Sequence, residues 1–146
     1  MYNDKSIIAI IPARGRSKRL PEKNILNFNG KPLITWTIKA ALKSKYIDKV
    51  IVSSEDNKIL QISKEYGADI IKRPNHLADD TSTTFEALEH VIKNTRKFHY
   101  VMLLQATSPL RNSNHIDESI ELLENKKANS IISVCKVAHS PLWSNI

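Results

Sequence analysis

Five cations fall between residues 14 and 23: Arg14, Arg16, Lys18, Arg19 and Lys23, opposed only by Glu22. The stretch has no helical or strand period and follows directly on the apolar run Ile7 to Ile11. Pro12 and Pro21 bracket it and restrict its backbone, while Gly15 permits close approach of the main chain. A loop of this length inside a compact domain is either functional or a solvated basic surface. The chemistry that suits it is reception of several negative charges at once, a polyphosphate held at the end of a first strand by fixed cations.

Two common nucleotide devices are excluded by the glycines. The chain has three, Gly15, Gly30 and Gly67, too few and too far apart for a G-x-G-x-x-G fingerprint. Gly30-Lys31 does not make a P-loop, because Ile25 stands where its first glycine belongs and Pro32 replaces its Ser or Thr. His76, His90, His99, His115 and His139 have no metal-ligand spacing with one another or with acids. Phosphate binding by side-chain cations and loop amides is what remains.

Elements that could position such a loop recur along the chain. Ile7 to Ile11 reads as a buried strand, Lys49 to Ser53 as a second, and Asp69 to Lys72 as a third. Tyr100 to Gln105 is the most apolar and is expected to be central; Ser130 to Lys136 reads as a fifth. Between them, Ile34, Ile38, Ala41 and Leu42 share one helical face after the turn Asn29-Gly30-Lys31-Pro32. Ser54 to Asn57 offers caps for a helix carrying Ile59, Ile62 and Tyr66, closed by Gly67. Thr83-x-x-Glu86 is a capping box opening a helix with Phe85, Leu88, Val91 and Ile92 inward, and Ser113 caps a fourth helix with Ile116, Ile120 and Leu123.

Strands separated by helices of about a dozen residues imply βαβ units. The predicted fold class is α/β, a mostly parallel sheet with helices on both faces. In such sheets ligands bind beyond the carboxyl ends of the strands. That places the basic loop, Ser53 to Asp56, Asp79 to Ser82 and Gln105 to Arg111 on one rim.

At 146 residues the chain reads as a single domain spanning 1–146, with an ordinary 41% hydrophobic and 25% charged content. No apolar run approaches a membrane span and the start lacks a signal-peptide core, so the expected compartment is the cytoplasm. The single cysteine, Cys135, cannot form an internal disulfide and is expected in the core. Much of the net charge of +7 is concentrated in the basic loop, which favours a small polyanion over nucleic acid.

The residues Ile11-Pro12-Ala13-Arg14-Gly15, Ser17-Lys18, Pro21 and Lys23-Asn24 closely resemble the N-terminal signature of the acylneuraminate cytidylyltransferases. These enzymes make CMP-activated sialic and related nonulosonic acids. A second stretch, Leu103-Leu104-Gln105-Ala106-Thr107-Ser108-Pro109-Leu110-Arg111, resembles another motif of the family in the right order. Two departures stand out: Arg16 replaces a usual Gly, and Ala106 a usual Pro.

The resemblance implies a nucleotidyltransferase fold and attack of a sugar hydroxyl on the α-phosphorus of CTP, with pyrophosphate leaving and magnesium assisting. It implies that Arg14 and Lys23 contact the triphosphate as the catalytic cations, with Ser17 and Asn24 adding hydrogen bonds. Asp80, Thr81, Ser82 and Thr83 would approach the cytidine, although Thr83 reads equally as a helix cap. Gln105 would meet the acidic nine-carbon sugar, with Ser108 and Arg111 beside it. The family's Asp-x-Asp metal pair and most of its dimerisation segment lie beyond the part that matches. No metal ligand is therefore assigned; Asp79-Asp80 suits the helix dipole as well as an ion. The chain reads as an N-terminal portion whose residues 137–146 begin a missing segment, and poor turnover is expected. Two alternatives stand beside this reading: a catalytically inactive CTP-binding domain, and a cytidylyltransferase for another acidic sugar such as deoxyoctulosonate.

Overall fold

The computed structural model describes residues 1–16, 20–79 and 81–136. Along the chain run β1 (Ile7–Pro12), β2 (Asn27–Phe28), β3 (Lys31–Pro32), α1 (Leu33–Leu42), β4 (Lys49–Ser54), α2 (Asn57–Glu65), β5 (Asp69–Lys72), α3 (Thr84–Lys93), β6 (Tyr100–Leu103) and α4 (Ser113–Asn125). The main sheet has the order β5-β4-β1-β6 with every pairing parallel, and β2 and β3 form a separate antiparallel ribbon.

The alternation of β1 organises the layers. Ile7, Ala9 and Ile11 pack with Ile34 and Ile38 of α1, Ile59 of α2, and Ile116 and Ile120 of α4. Ile8 and Ile10 turn to the opposite face and pack with Val91 and Leu88 of α3. A strand apolar on both sides belongs where both faces are covered. Each isoleucine so buried contributes about 1.5–3 kcal/mol relative to exposure.

β6, expected to be central, is instead at an edge of the described sheet: it pairs with β1 alone, and Val101 and Leu103 are exposed. Hydropathy does not decide strand order; pairing does, and β1 takes the middle between β4 and β6. Residues 130–136, expected as a fifth strand, have no ladder partner among the described residues. Ile132 and Val134 are exposed there, and so is Cys135, which is not a core residue. A β-branched run becomes a strand only where a neighbouring edge meets it.

The caps follow local chemistry closely. Thr83 makes the expected box, its hydroxyl accepting from the Glu86 amide at 3.2 Å while its own amide donates to the Glu86 carboxylate at 2.7 Å. Of the predicted inward stripe only Val91 is fully buried; Ala87 joins it one turn earlier, whereas Phe85 and Ile92 are exposed. The stripe is wider than the face that the sheet covers. Asn112, one residue before the predicted cap, caps α4 by accepting from the His115 amide at 3.1 Å. Gly67 has φ +91°, and the Ala68 amide reaches back to the Ser63 carbonyl at 3.0 Å, closing α2 with a left-handed residue.

Candidate functional site

Parallel pairing sends the carboxyl ends of the four main strands to one rim. A cleft of about 300 Å³ opens there, lined by Pro12, Arg14, Arg16, Lys23 and Asn24, by Arg73 and Leu77, by Ser82 to Thr84, and by Gln105 to Thr107. Three segments far apart in sequence thus meet in one concavity. Its lining holds four cationic side chains and, among the described residues, no acid.

The first wall is the basic loop. Asn24 is buried and its Nδ2 donates to the Arg14 carbonyl at 2.9 Å, drawing the end of the loop onto its beginning. Arg14 Nη1 donates to the Asp79 carbonyl at 3.2 Å, linking this wall to the segment before α3. Glu22, at the far end of the loop, forms an exposed ion pair with Lys58 of α2 at 2.8 Å. Ser17 lies outside the described residues.

Gly15 is required sterically. A Cβ there would stand 2.3 Å from Asp56 Oδ2 and 2.8 Å from Asp56 Cβ. Asp56 can yield only by disturbing the α2 cap, because its carboxylate accepts from the Lys58 and Ile59 amides. The departure at Arg16 sits beside this constraint and not on it: Arg16 is exposed and lines the cleft.

Behind the loop, Arg73 is 3% exposed, immediately after β5. Its Nη2 donates to the Glu55 carboxylate at 3.2 Å and to the Ala13 carbonyl at 3.4 Å, while Nε has no partner. Glu55 also accepts from the Gly15 amide at 2.8 Å. Arg73 was not picked out from the sequence, where it opens a polar loop. A buried, incompletely paired guanidinium in a cleft wall is visible only in three dimensions.

The second wall carries hydroxyls. Ser82 Oγ donates to the His76 carbonyl at 2.8 Å, and Thr83 both caps α3 and lines the cleft. The bonds from the Thr83 amide and hydroxyl hold the Glu86 carboxyl below its usual pKa. Thr81 does not line the cleft, and Asp80 lies outside the described residues.

The third wall follows β6. Gln105 lines the cleft, and its carbonyl accepts from Thr37 Oγ1 at 3.3 Å, tying the wall to α1. Ser108 and Arg111 belong to the next turn and are not in the lining. Arg111 is half-buried with Nη1 shielded and unpartnered, and burial draws its pKa below the usual arginine value. The structure therefore gathers Arg14, Lys23, Asn24, Ser82, Thr83 and Gln105 from the sequence-predicted set, adds Arg73, and leaves Thr81, Ser108 and Arg111 outside.

Among the described residues no three His, Cys, Asp or Glu side chains gather as a metal site. Among the described residues, then, no carboxylate cluster stands ready for a resident magnesium ion.

Residues 8–142 match the family model described as cytidylyltransferase. An N-acylneuraminate cytidylyltransferase of Escherichia coli O18:K1:H7 is 42% identical over 131 residues, covering 89% of this chain and 31% of that protein. A CMP-N,N'-diacetyllegionaminic acid synthase of Legionella pneumophila is 37% identical over 142 residues, covering 94% of this chain and 61% of that protein. A solved CMP:2-keto-3-deoxy-manno-octonic acid synthetase in complex with CTP superimposes with a TM-score of 0.74 at 24% identity, over 84% of this chain and 49% of that one. That likeness speaks for the nucleotidyltransferase fold. The chain spans less than two thirds of the length of each of these proteins. With a match covering nearly all of its residues, and its fold and basic cleft in accord, the chain belongs to the cytidylyltransferase family.

Proposed function

We propose that the cleft binds CTP and serves transfer of CMP to an acylneuraminate-type nonulosonic acid, releasing pyrophosphate. The observation that carries this is the convergence of Arg14, Arg16, Lys23 and Arg73 on one lining that holds no acid among the described residues, beside hydroxyls on one wall and Gln105 on another. In this reading Arg14 and Lys23 hold the triphosphate, with Asn24 fixing the loop and Ser17 adding a hydrogen bond. Asp80, Thr81, Ser82 and Thr83 form the cytidine side. Gln105 meets the acidic sugar, and Ser108 and Arg111 extend that side.

The sugar hydroxyl oxygen forms a bond to the α-phosphorus as the bond from that phosphorus to the pyrophosphate oxygen breaks, and the hydroxyl proton leaves to solvent or a base. Positioned cations lower the barrier by neutralising charge on the non-bridging and leaving oxygens. Magnesium would accompany the triphosphate and, when bound, neutralise charge on its phosphate oxygens. Residues 1–146 are taken as part of one nucleotidyltransferase domain. Among the described residues no helix is long and apolar enough to cross a membrane, which suits a cytoplasmic setting and a product used for surface glycans such as capsule or lipopolysaccharide. In this reading neither nucleic acid nor a membrane is a partner, and size-exclusion chromatography with light scattering reads whether the chain forms the homodimer of its family.

Calorimetry with CTP, ATP, GTP and UTP tests the binding step. Tighter binding of CTP supports the proposal, and equal affinity for all four reduces the cleft to a general anion receptor. Incubation with CTP, magnesium and either a nonulosonic acid or deoxyoctulosonate then reads CMP-sugar and pyrophosphate. Product from deoxyoctulosonate alone would change the substrate class, and binding without any product would favour an inactive CTP-binding domain.

A further inference from the structure

We infer that Glu55 is a positioning residue for the polyphosphate loop, locking its backbone to the buried Arg73 so that Arg14 and Arg16 stand where a triphosphate needs them. The inference rests on the CTP-binding reading above.

Glu55 sits between the last residue of β4 and the cap of α2, so its backbone is fixed on both sides. Its two carboxylate oxygens do different things. Oε1 accepts from the Gly15 amide at 2.8 Å, and Oε2 accepts from Arg73 Nη2 at 3.2 Å. The same Nη2 reaches the Ala13 carbonyl at 3.4 Å. One ion pair thereby grips the residues on either side of Arg14. Asn24 holds the Arg14 carbonyl itself, and the Ala13 amide donates to the Ser53 carbonyl at 3.0 Å. The main chain of residues 13–15 is thus anchored at each residue, and the Arg14 side chain is carried on a fixed base.

An acid so close to a polyanion site would ordinarily oppose binding. Here Arg73 balances its charge, and both side chains are largely withdrawn from water, Arg73 at 3% and Glu55 at 13% side-chain exposure. The pair supplies order at little cost to the positive field of the cleft. It also occupies the Gly15 amide, which is then not a phosphate donor. Glutamine cannot keep both contacts, since its NH2 group, standing where one carboxylate oxygen stood, would face a donor, either the Gly15 amide or Arg73 Nη2.

The test turns on a sign. Glu55→Gln removes a negative charge beside a cationic cleft, so a simple field effect tightens polyanion binding. The positioning role requires the opposite, a weakening of roughly tenfold, the scale of one lost net hydrogen bond. The probes are CTP and inorganic tripolyphosphate, measured by calorimetry on the wild-type chain, Glu55→Gln and Glu55→Asp. Weakening of both probes in Glu55→Gln, with a smaller loss in Glu55→Asp, is expected. In 15N spectra the Gly15 amide should shift in Glu55→Gln while Gly30 and Gly67, the other two glycines, stay in place. Tighter or unchanged tripolyphosphate binding in Glu55→Gln overturns the inference. If Glu55→Gln does not fold, the wild-type chain still decides: a 15N–31P coupling from Gly15 to bound tripolyphosphate overturns the inference, and its absence with the Gly15 shift retained supports it. Wild-type binding of tripolyphosphate without preference for CTP overturns the nucleotide reading alone, and binding of neither probe overturns both.

Discussion

Asn24 Nδ2 meets the Arg14 carbonyl at 2.9 Å, joining the two ends of a loop that the sequence presents as an open basic stretch. Ten residues apart in the chain, the two are neighbours at the mouth of one cleft. Arg14, Arg16 and Lys23 are thereby held around a concavity instead of being spread over a surface.

Asn24→Ala removes that tie and leaves the Arg14 carbonyl without its side-chain partner. A lost buried hydrogen bond costs about 1 kcal/mol of stability. The loop's order is lost with it, so CTP affinity should fall by roughly tenfold, which equals 1.4 kcal/mol of binding. Denaturant unfolding and calorimetry on the same variant measure the two effects, and unchanged CTP affinity would show that the tie does not shape the site.

Gly15→Ala places a methyl group 2.3 Å from Asp56 Oδ2. Relief requires moving either the loop or the α2 cap. An overpacked contact costs about 1–3 kcal/mol, and loss of the cap about 1 kcal/mol. The urea midpoint should fall accordingly, with CTP binding weakened as the loop is displaced. A midpoint equal to wild type would mean that the loop yields without cost.

Lys23→Ala should weaken CTP binding far more than Lys126→Ala or Lys127→Ala. Lys23 lines the cleft, while Lys126 and Lys127 follow the end of α4. All three changes remove one positive charge, so a diffuse field would respond to each alike and would vanish in high salt. Calorimetry at low and high salt separates the cases.

The Glu86 carboxyl is held below its usual pKa by the Thr83 amide and then by the Thr83 hydroxyl. Its folded pKa is therefore lower than its unfolded one. The stabilisation is present in full above the unfolded value and is lost as pH falls through the folded value. Glu86→Ala should be less stable than wild type at neutral pH, with the two curves converging in the acid range below about pH 4.5. Thermal unfolding between neutral pH and pH 3 measures this. A difference that does not depend on pH would show that the ionised carboxylate is not what opens α3.

Short-range chemistry made much of the architecture readable in advance. The capping box at Thr83 and Glu86 and the left-handed close at Gly67 each act through neighbours a few residues away, and the apolar run of β1 is legible as a strand from its own composition. The βαβ rhythm then implies a parallel sheet and a common rim, which is why Arg14, Lys23, Asn24, Ser82, Thr83 and Gln105 could be expected to converge.

Strand order and burial were not readable, because they depend on contacts between distant segments. β6 is apolar enough to be central, yet β1 holds the middle of the described sheet. Residues 130–136 have strand composition but no paired edge among the described residues, and Cys135 is exposed. Phe85 and Ile92 have helical periodicity but face away from the part of the sheet that α3 covers. Arg73 is the clearest case. Nothing in its local sequence distinguishes it from a solvated loop arginine, and it is buried only because the β4–β5 pairing lays the end of β5 beside Ser54 and Glu55. A charge can stand there because Glu55, eighteen positions earlier, supplies the carboxylate that compensates its desolvation.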